Sequence, residues 1–425
     1  MKSHLQQVGN VLLIWMLFCS CQLFSDTTSS GAAPTSLVSS QSVATEGSVA
    51  IETNTPMPAD GAEPTKGSSS NGSGFLQVDD SYPFPFSSTK MVIASSLAAS
   101  PGKVWIGTLN GTIEEVVAQS GAFERSLALV PGAGEDPMDV RPVLQLTFDG
   151  QYLWALAHFT DVETYDNHPH LLAIDTDGWT VTRQWDQSLD SVEWVGENDE
   201  WIASNRVDPE NFYTSPGKIW VEGHVIDART FEVKPDAYNP GASFCAYNGK
   251  GWMWTTEWTS GEDGLYFVNA DDFSEQPGQY RWPFLIHEQE FAAAQGDSFL
   301  VLAGDWMWMG RSRYEPGSVG WLDAFPSDLD ELMKLSGPPV SVPLLESLEN
   351  VRLHYAGDHL WVLYLGGEHG GWLYQLDPQM GKTLASLDLI GDEGRAMGDF
   401  PMDIASADDN LWIVTSQQLL RIKMP

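Results

Sequence analysis

The stretch at residues 101–112 reads PGKVWIGTLNGT and decides the fold. Pro-Gly marks a turn, KVWIGT has the composition of a short strand, and Asn-Gly marks a second turn before another strand begins. Variants of this stretch recur as far as the C-terminus. The sequence therefore predicts a repeat protein built from short antiparallel strands.

Seven units follow from this alignment, spaced by roughly 50 residues. They are aligned on the residues Trp105, Trp154, Trp201, Trp254, Leu300, Trp361 and Trp412. In each unit an apolar strand precedes the turn, and a third strand ending in Asp or Asn leads through another turn to a fourth strand. Four strands per unit at this period predict an all-β, seven-bladed β-propeller.

The last unit is one strand short, because residues 402–423 supply only three strands before the chain ends. A surplus strand precedes the first unit at residues 75–79, which read FLQVD. We expect this N-terminal strand to close the last blade.

The charge of the chain restricts its partners. The chain of 425 residues has 21 Lys and Arg against 58 Asp and Glu, a net charge of −37. Because like charges repel, this charge disfavours nucleic acid and anionic membrane surfaces as partners. The 18 Trp residues and 11% aromatic content predict an extensive packed core rather than a disordered acidic chain.

Residues 1–20 have the features of a signal peptide. A short basic region at Lys2 precedes the apolar run VLLIWMLF at residues 11–18, which is too short to span a bilayer as a helix. The run and the following Ser20-Cys21 resemble a bacterial lipoprotein signal. The resemblance implies that Cys21 carries the lipid and that the protein lies in the cell envelope, extracytoplasmic and touching the membrane only through its anchor. Secretion without a lipid is the alternative.

Residues 21–74 are rich in Ser, Thr, Gly and Pro and show no hydrophobic periodicity. Such a segment cannot bury enough apolar surface to order itself, so it predicts a flexible tether, with ends about 40 Å apart on average. The propeller domain is expected to occupy residues 75–425.

Two stretches resemble known propellers. VWIGTLNGTI (residues 104–113) is similar to the repeats of bacterial sensor-type propellers. LYQLDPQMGK (residues 373–382) resembles quinoprotein-like, NHL-like and virginiamycin-lyase-like propellers. The resemblance implies a fold, and its structural motifs carry no chemistry over.

The loops of the predicted propeller are unequal. The connections between second and third strands share one side of a propeller with the connections between blades, and in five units they are long. These connections are residues 159–169, 206–218, 257–263, 304–318 and 366–371. Because rigid folds usually carry binding residues on such loops, this side is the predicted binding surface. Tolerated insertions without function are the alternative.

Those loops combine aromatic side chains with His and Arg, a composition typical of a surface that recognises a protein, a peptide or a glycan. The candidate ligand-binding residues are Tyr165, His168, His170, Trp258, Trp306, Trp308, Arg311, Arg313 and His369. Two alternatives stay open: Trp306 and Trp308 could pack between blades, and Arg311 and Arg313 could neutralise neighbouring acids.

Catalysis has weaker support. The series Asp161, Glu163, Asp166, His168 and His170 contains metal-ligand types, but its spacing matches no metal-binding loop. No nucleophile elbow, phosphate loop or paired-Cys motif is present in the sequence. We expect a monomeric binding domain without metal or cofactor. A lyase or hydrolase using acidic or His side chains near the inner strands, such as Glu288, Glu290, His354 and Asp403, or His287 and His369 at the rim, is the alternative.

Overall fold

The computed structural model describes residues 76–84, 93–129, 142–160, 167–185, 191–195, 200–204, 212–221, 224–234, 244–247, 252–257, 264–269, 300–311, 320–332, 334–335, 338–346 and 350–425. All of them belong to the unit Asn54–Pro425. The predicted signal peptide, the lipidation residue Cys21 and the tether lie outside the described residues, so these expectations stay predictions.

Six sheets in the described part of the chain have four strands each, and we number them as blades I to VI. Blade I contains β2 (Ala94–Ser100), β3 (Lys103–Thr108), β4 (Thr112–Val117) and β5 (Ala122–Ala128). Blade II contains β6 (Val143–Phe148), β7 (Tyr152–Thr160), β8 (Asn167–Asp175) and β9 (Thr180–Trp185). Blade III contains β12 (Phe212–Ser215), β13 (Lys218–Val221), β14 (His224–Asp227) and β15 (Val233–Lys234).

Blades IV to VI have the same antiparallel order. Blade IV contains β19 (Leu300–Ala303), β20 (Trp306–Arg311), β21 (Trp321–Pro326) and β22 (Val340–Pro343). Blade V contains β23 (Val351–Ala356), β24 (His359–Tyr364), β25 (Trp372–Leu376) and β26 (Thr383–Asp388). Blade VI contains β27 (Pro401–Ala407), β28 (Asn410–Thr415) and β29 (Gln418–Lys423), with β1 (Asp80–Pro83) as its fourth strand. The other strands form a two-stranded ladder, β10 (Ser191–Val195) with β11 (Glu200–Ser204), and a three-stranded sheet, β16 (Phe244–Tyr247), β17 (Trp252–Glu257) and β18 (Gly264–Asn269).

The first strands of these sheets follow one another in a closed circle. β2 neighbours β6, and β12, β16, β19, β23 and β27 continue the series back to β2. This arrangement is a β-propeller and confirms the all-β fold. The predicted number of seven four-stranded blades is wrong: the described residues form six, and the three-stranded sheet lies between blades III and IV.

A buried tryptophan in the second strand is common to all six blades. These residues are Trp105, Trp154, Trp220, Trp308, Trp361 and Trp412, none more than 4% exposed. Two residues of the predicted alignment are therefore wrong. Trp201 lies in the two-stranded ladder rather than in blade III, and Leu300 begins the first strand of blade IV, one strand too early.

The closure of the ring by an N-terminal strand is confirmed, although its position shifts along the chain. The closing strand is β1 rather than residues 75–79, and it pairs antiparallel with β29. The Tyr82 ring stacks on Trp412 with centroids 6.3 Å apart. Phe84 packs edge-on against Phe123 of blade I at 6.0 Å, so the strand also joins the last blade to the first.

Aspartates cap the turns between third and fourth strands, as the sequence predicted. The Asp227 carboxylate accepts hydrogen bonds from the backbone N–H groups of Arg229 and Thr230, at 2.9 and 2.7 Å. Asp377 caps its turn in the same way. The left-handed residue after Asp175, however, is Trp179 (φ 53°) and not the adjacent glycine. The Arg125 guanidinium lies over its ring, 4.6 Å from the centroid.

The described residues contain little helix. The short helix expected near residues 326–335 is present as α1 (Leu329–Leu332), and a second helix, α2 (Gly391–Ala396), lies between blades V and VI. No helix within the described ranges is both long and apolar enough to cross a membrane.

Candidate functional site

The connections of the propeller differ between its two edges. At one edge, which we call the short-turn edge, first and second strands are joined by turns such as those between Ser100 and Lys103 or Ala407 and Asn410. The opposite edge, which we call the loop edge, carries the connections between blades and between second and third strands. Its connections include residues 129–142, 312–320 and 389–400.

The predicted one-sided elaboration is therefore wrong in two respects. Residues 206–218 are not a connection between second and third strands, because they contain β12 and the turn that leads to β13. The short-turn edge also carries a long connection, residues 327–339 with α1.

Trp306 and Trp308 do not lie in a loop. Both belong to β20, and the turn before them, at Gly304 and Asp305, is at the short-turn edge. The Trp308 side chain is fully buried, and its indole N–H donates to the backbone oxygen of Pro378 at 2.8 Å. Trp306 is half-buried against the same core. The alternative of packing between blades therefore holds for Trp308, and an exposed loop position is wrong for both residues.

His168 and His170 lie in β8 rather than in the predicted loop, because β7 and β8 pair as far as Thr160 and Asn167. The His170 Nδ1 atom is 2.8 Å from the Gln184 amide nitrogen of the same blade. Asp161, Glu163 and Asp166 lie outside the described residues. In the part of the chain that the structure describes, no three His, Cys, Asp or Glu residues are grouped so that they could hold a metal.

Other candidates are only partly placed. Arg311 ends β20 opposite Trp321, where the chain enters the loop edge. Tyr165, Trp258 and Arg313 lie outside the described residues, as do His287, Glu288 and Glu290. They stay predictions.

His369 is the predicted binding residue whose surroundings are best defined. It lies in the loop between β24 and β25 (residues 365–371), which we call the His369 loop. The Glu346 carboxylate accepts hydrogen bonds from both the backbone N–H of His369, at 2.8 Å, and its ring Nδ1, at 3.0 Å. The imidazole is 36% exposed, whereas the carboxylate side chain is only 16% exposed. The contacts with Glu346 therefore fix the position of His369 and leave part of its imidazole ring accessible to solvent.

A second ion pair fixes the other end of the His369 loop. The Arg395 guanidinium of α2 donates to the backbone oxygen of Gly370 at 3.1 Å. The same guanidinium is held by two hydrogen bonds to Asp388, at 2.8 and 3.1 Å. Bidentate pairing of this kind fixes the direction of the arginine as well as its position. Contacts with Glu346 and Arg395 therefore hold the His369 loop in place without a bound partner.

The contact with Glu346 decides which nitrogen of His369 faces a partner. An ionised carboxylate can only accept, so Nδ1 must carry the proton and donate it to Glu346. In the neutral imidazole, Nε2 is then a hydrogen-bond acceptor. The same arrangement serves a binding site that accepts a hydroxyl or N–H group and a general base in catalysis.

A second polar cluster lies on the inner strands of blades V and VI, where the sequence placed His354 and Asp403. His354 Nε2 is 2.8 Å from the Ser406 hydroxyl of the neighbouring blade. The Asp403 carboxylate accepts a hydrogen bond from the backbone N–H of Leu97 in blade I, at 2.8 Å. Arg352 also acts electrostatically on Asp403. Protein surrounds these side chains, yet they keep some accessible surface, as expected for groups that line the space between inner strands.

Asp403 belongs to a pattern that sequence reasoning missed. The first strands of blades I, II and VI each have a β-bulge at the same position, and the bulges are followed by Ser96, Gln145 and Asp403. Each of these side chains bonds to the backbone of the next first strand. Ser96 donates to the Val143 oxygen, and Gln145 bonds the N–H and oxygen of Phe212. Bulges re-aim side chains, and here they join blades. A polar residue inside each apolar first strand was the available signal.

The same cluster predicts opposite pH effects for two residues. Burial raises the pKa of Asp403 to about 6, against the lowering effects of Arg352 and two backbone N–H groups, and burial lowers the pKa of His354 to about 4. Between pH 4 and 6 the folded protein keeps a proton on Asp403 that the unfolded chain releases, so this group stabilises less as the pH rises. His354 is neutral when folded but protonated when unfolded, so its contribution is lost as the pH falls.

On acidification from pH 6 to 4, we therefore expect Asp403→Asn to lose more unfolding free energy than the wild type. We expect His354→Asn to lose less unfolding free energy than the wild type over the same range. Each difference is at most about 3 kcal/mol, since one pKa unit corresponds to 1.4 kcal/mol. Urea unfolding of both variants and the wild type at pH 4, 5 and 6 checks the signs. Parallel pH profiles for all three proteins would refute the assignment.

Comparisons with known proteins add only general information. No protein-family model matches the chain, and no curated protein matches its sequence. Among solved structures, the chain is similar to BamB from Moraxella catarrhalis, with a TM-score of 0.42 and 11% identity over 83% of this chain and 98% of that one. It is also similar to the computationally designed Ika8 protein, with a TM-score of 0.45 and 9% identity over 80% and 98% of the two chains. Because both TM-scores lie below 0.5, the propeller assignment depends on the strand order described above. The resemblance to sensor-type, NHL-like and quinoprotein-like propellers stays a prediction.

Proposed function

We propose that this protein is an extracytoplasmic binding or scaffolding protein, anchored through a lipid on Cys21, that holds a protein partner at its loop edge. The observation that carries the proposal is the His369 loop. Glu346 and Arg395 fix the loop from two sides, while the imidazole stays accessible. Holding a polar group in advance reduces the entropy lost on binding, which is the physical advantage of such a site.

The chemistry of the site suggests the kind of group it accepts. With Nδ1 bonded to Glu346, Nε2 of His369 accepts a hydrogen bond from a hydroxyl, an amide or an ammonium group. The net charge of −37 favours partners with basic surfaces, because electrostatic attraction raises the rate of association. A peptide or glycan ligand would supply the same donors, and a glycan array distinguishes it from a protein.

A photo-crosslinking side chain at Glu368, next to His369, tests the proposal in the full-length protein in its own membranes. Glu368 is exposed at the loop edge. We expect one crosslinked product of defined mass from this position, with a yield at least about tenfold lower when His369 is also replaced by alanine, as for an energetically dominant contact.

The matched controls lie at the opposite edge of blade V. Asp358 is an exposed crosslinking position in the short turn between β23 and β24, and His359→Ala removes an imidazole that bonds the Gly357 oxygen. We expect no product from position 358 and an unchanged yield with His359→Ala. Equal products from both edges, or a yield from position 368 that does not depend on His369, would contradict a binding surface at the loop edge.

The pairing of Glu346 with His369 also supports a second candidate, a lyase or hydrolase in which Nε2 acts as general base. A carboxylate that orients an imidazole is a common arrangement in acid–base catalysis. A screen of polysaccharide substrates separates the two proposals. Turnover that is lost in His369→Ala but kept in His359→Ala would favour the enzyme, whereas a bound but unchanged ligand favours the binding protein.

A further inference from the structure

The first strand of blade V carries an arginine that has no carboxylate partner among the described residues. Buried and accessible residues alternate at the start of β23, which places Arg352 and His354 on the same face. Arg352 is half-buried, and within the described part of the chain its hydrogen bonding amounts to one 3.4 Å contact from Nη1 to the Val351 oxygen. Enclosed guanidinium groups are normally paired with acids. Most N–H donors of Arg352 are therefore left to water or to a ligand.

Asp403 of blade VI is the acid on which Arg352 acts electrostatically, but the two side chains form no salt bridge. The Asp403 oxygens instead accept hydrogen bonds from the backbone N–H groups of Ile404 and Leu97, each at 2.8 Å. The joint between blades VI and I thus fixes this carboxylate. Its charge offsets that of Arg352 only at a distance and repels additional negative charge, so the surroundings of Arg352 suit an anion with a single charge.

His354 and Ser406 supply neutral hydrogen-bonding groups next to Arg352. Residues two apart on a strand are separated by about 7 Å, and His354 Nε2 lies 2.8 Å from the Ser406 hydroxyl of blade VI. Burial lowers the pKa of His354 to about 4, so its imidazole is neutral at neutral pH. A hydroxyl has one donor and two acceptor lone pairs. Ser406 can therefore bond a second hydroxyl while it is bonded to His354.

These side chains can be reached from the loop edge. The first strands of a propeller surround its central channel, and Arg352, His354 and Ser406 all keep accessible surface. Arg352 is the second residue of β23, which begins at the loop edge, and His354 lies further along the strand. A ligand that enters the channel from the loop edge meets the guanidinium first and the neutral pair behind it.

From this geometry we propose that the channel between the first strands of blades V and VI binds a small hydroxycarboxylate, with its carboxylate on Arg352 and its hydroxyl on Ser406 and His354. We call these three residues the channel site. The planar fork of arginine matches a carboxylate in two parallel hydrogen bonds. A net charge of −37 repels anions from the protein surface in general, so binding of a carboxylate depends on Arg352. The channel site does not include the His369 loop, so it does not rest on the proposed function.

Isothermal titration calorimetry of the full-length protein with γ-hydroxybutyrate at neutral pH tests the channel site. This acid carries a carboxylate and a hydroxyl at opposite ends of a short chain. We expect the wild type to bind it and Arg352→Gln to bind it at least about tenfold more weakly, as for the loss of charge-assisted hydrogen bonds. Arg352→Lys keeps the charge without the planar fork, so its affinity is expected to fall between the two. It also keeps the test valid if Arg352→Gln does not fold.

Matched probes and a matched variant make the test specific. Butyrate lacks the hydroxyl and is expected to bind more weakly than γ-hydroxybutyrate to the wild type but equally to Ser406→Ala. The uncharged γ-hydroxybutyramide is expected not to bind. Arg229→Gln removes the same charge from an exposed turn of blade III and is expected to leave the affinity unchanged.

Three results overturn the proposal. The first is no binding of γ-hydroxybutyrate to the wild type. The second is an affinity that Arg352→Gln does not lower, or that Arg229→Gln lowers equally, because the net charge would then be responsible. The third is a preference for γ-hydroxybutyrate over butyrate that persists in Ser406→Ala, which refutes the position of the hydroxyl.

Discussion

Removing residues 75–84 is expected to lower the melting temperature of the protein by on the order of 10 °C. The deletion takes away β1, its ladder with β29 and the contacts of Tyr82 and Phe84 with blades VI and I. Each buried apolar side chain contributes about 1.5–3 kcal/mol, and the ring loses the strand that joins its first and last blades. Differential scanning calorimetry of the wild type and the deletion measures the effect.

Two further variants make this test specific. Deleting residues 60–69 of the predicted tether removes the same length of chain and is expected to leave the melting temperature unchanged. Gly121→Ala disturbs the packing of Tyr82 by adding a single methyl group. A Cβ at Gly121 would lie 1.9 Å from the Tyr82 ring, and the position has a φ of 66°. An unchanged melting temperature in the first deletion would show that β1 does not close the ring.

The sequence was sufficient to predict the order of strands and turns within a blade, because neighbouring residues determine that pattern. Turns with Pro-Gly, Asp-Gly, Gly-Asp or Asp-Asp and the strand that follows them identified the correct tryptophan in four of the six blades, at Trp105, Trp154, Trp361 and Trp412. Ring closure could be predicted for the same reason. A blade with three strands requires a fourth, and only one surplus strand preceded the first unit.

The two wrong alignments have a common cause. QGDSFLVLA and AGDWMWMG both contain Gly-Asp followed by apolar residues, so the local pattern fits either one. Which turn joins the first two strands of blade IV is decided by packing against its neighbours, and Trp308 fills that space. For blade III the signal existed in the sequence: SPGKIW at residues 215–220 repeats SPGKVW at residues 100–105.

The candidate site was predictable only in part. His369 was found because it lies in a Gly-rich insertion between strands. Its partners Glu346 and Arg395 were missed, because they are 23 and 26 positions away along the chain and only the folding of two connections brings them to one loop. Conversely, the Trp residues of β20 have the composition of a recognition surface but fill the core. Composition does not distinguish these two uses of an aromatic side chain.

Replacing Glu115 by alanine is expected to cost about 1.5–3 kcal/mol of unfolding free energy, because it removes charge-assisted hydrogen bonds and leaves the buried indole N–H of Trp105 without its acceptor. The Glu115 side chain is fully buried. It accepts hydrogen bonds from Arg125 at 2.7 Å and from the indole N–H of Trp105 at 3.0 Å, and Lys103 lies 3.3 Å away. Urea unfolding at pH 7 measures the loss.

The carboxylate charge is the reason for so large an effect. Burial alone would raise the pKa of Glu115, but the hydrogen bonds from Arg125 and Trp105 and the charges of Lys103 and Arg125 outweigh it and hold the pKa below its ordinary value. The folded protein therefore keeps Glu115 ionised, and its contribution is present at neutral pH and lost only as the pH falls through this lowered pKa. Glu115→Gln, which keeps the shape and can still accept from Trp105, is expected to fall between the wild type and Glu115→Ala.

The matched control is Glu124→Ala, on the exposed face of β5 in the same blade. It removes the same number of atoms and the same charge from the chain, and we expect a change within about 0.5 kcal/mol, as is usual for exposed substitutions. If the two alanine variants lost similar stability, the net charge of the protein rather than the buried cluster would be responsible. If Glu115→Gln matched Glu115→Ala, the contribution would come from the ionic contacts with Arg125 and Lys103, and the bond to Trp105 would add nothing measurable.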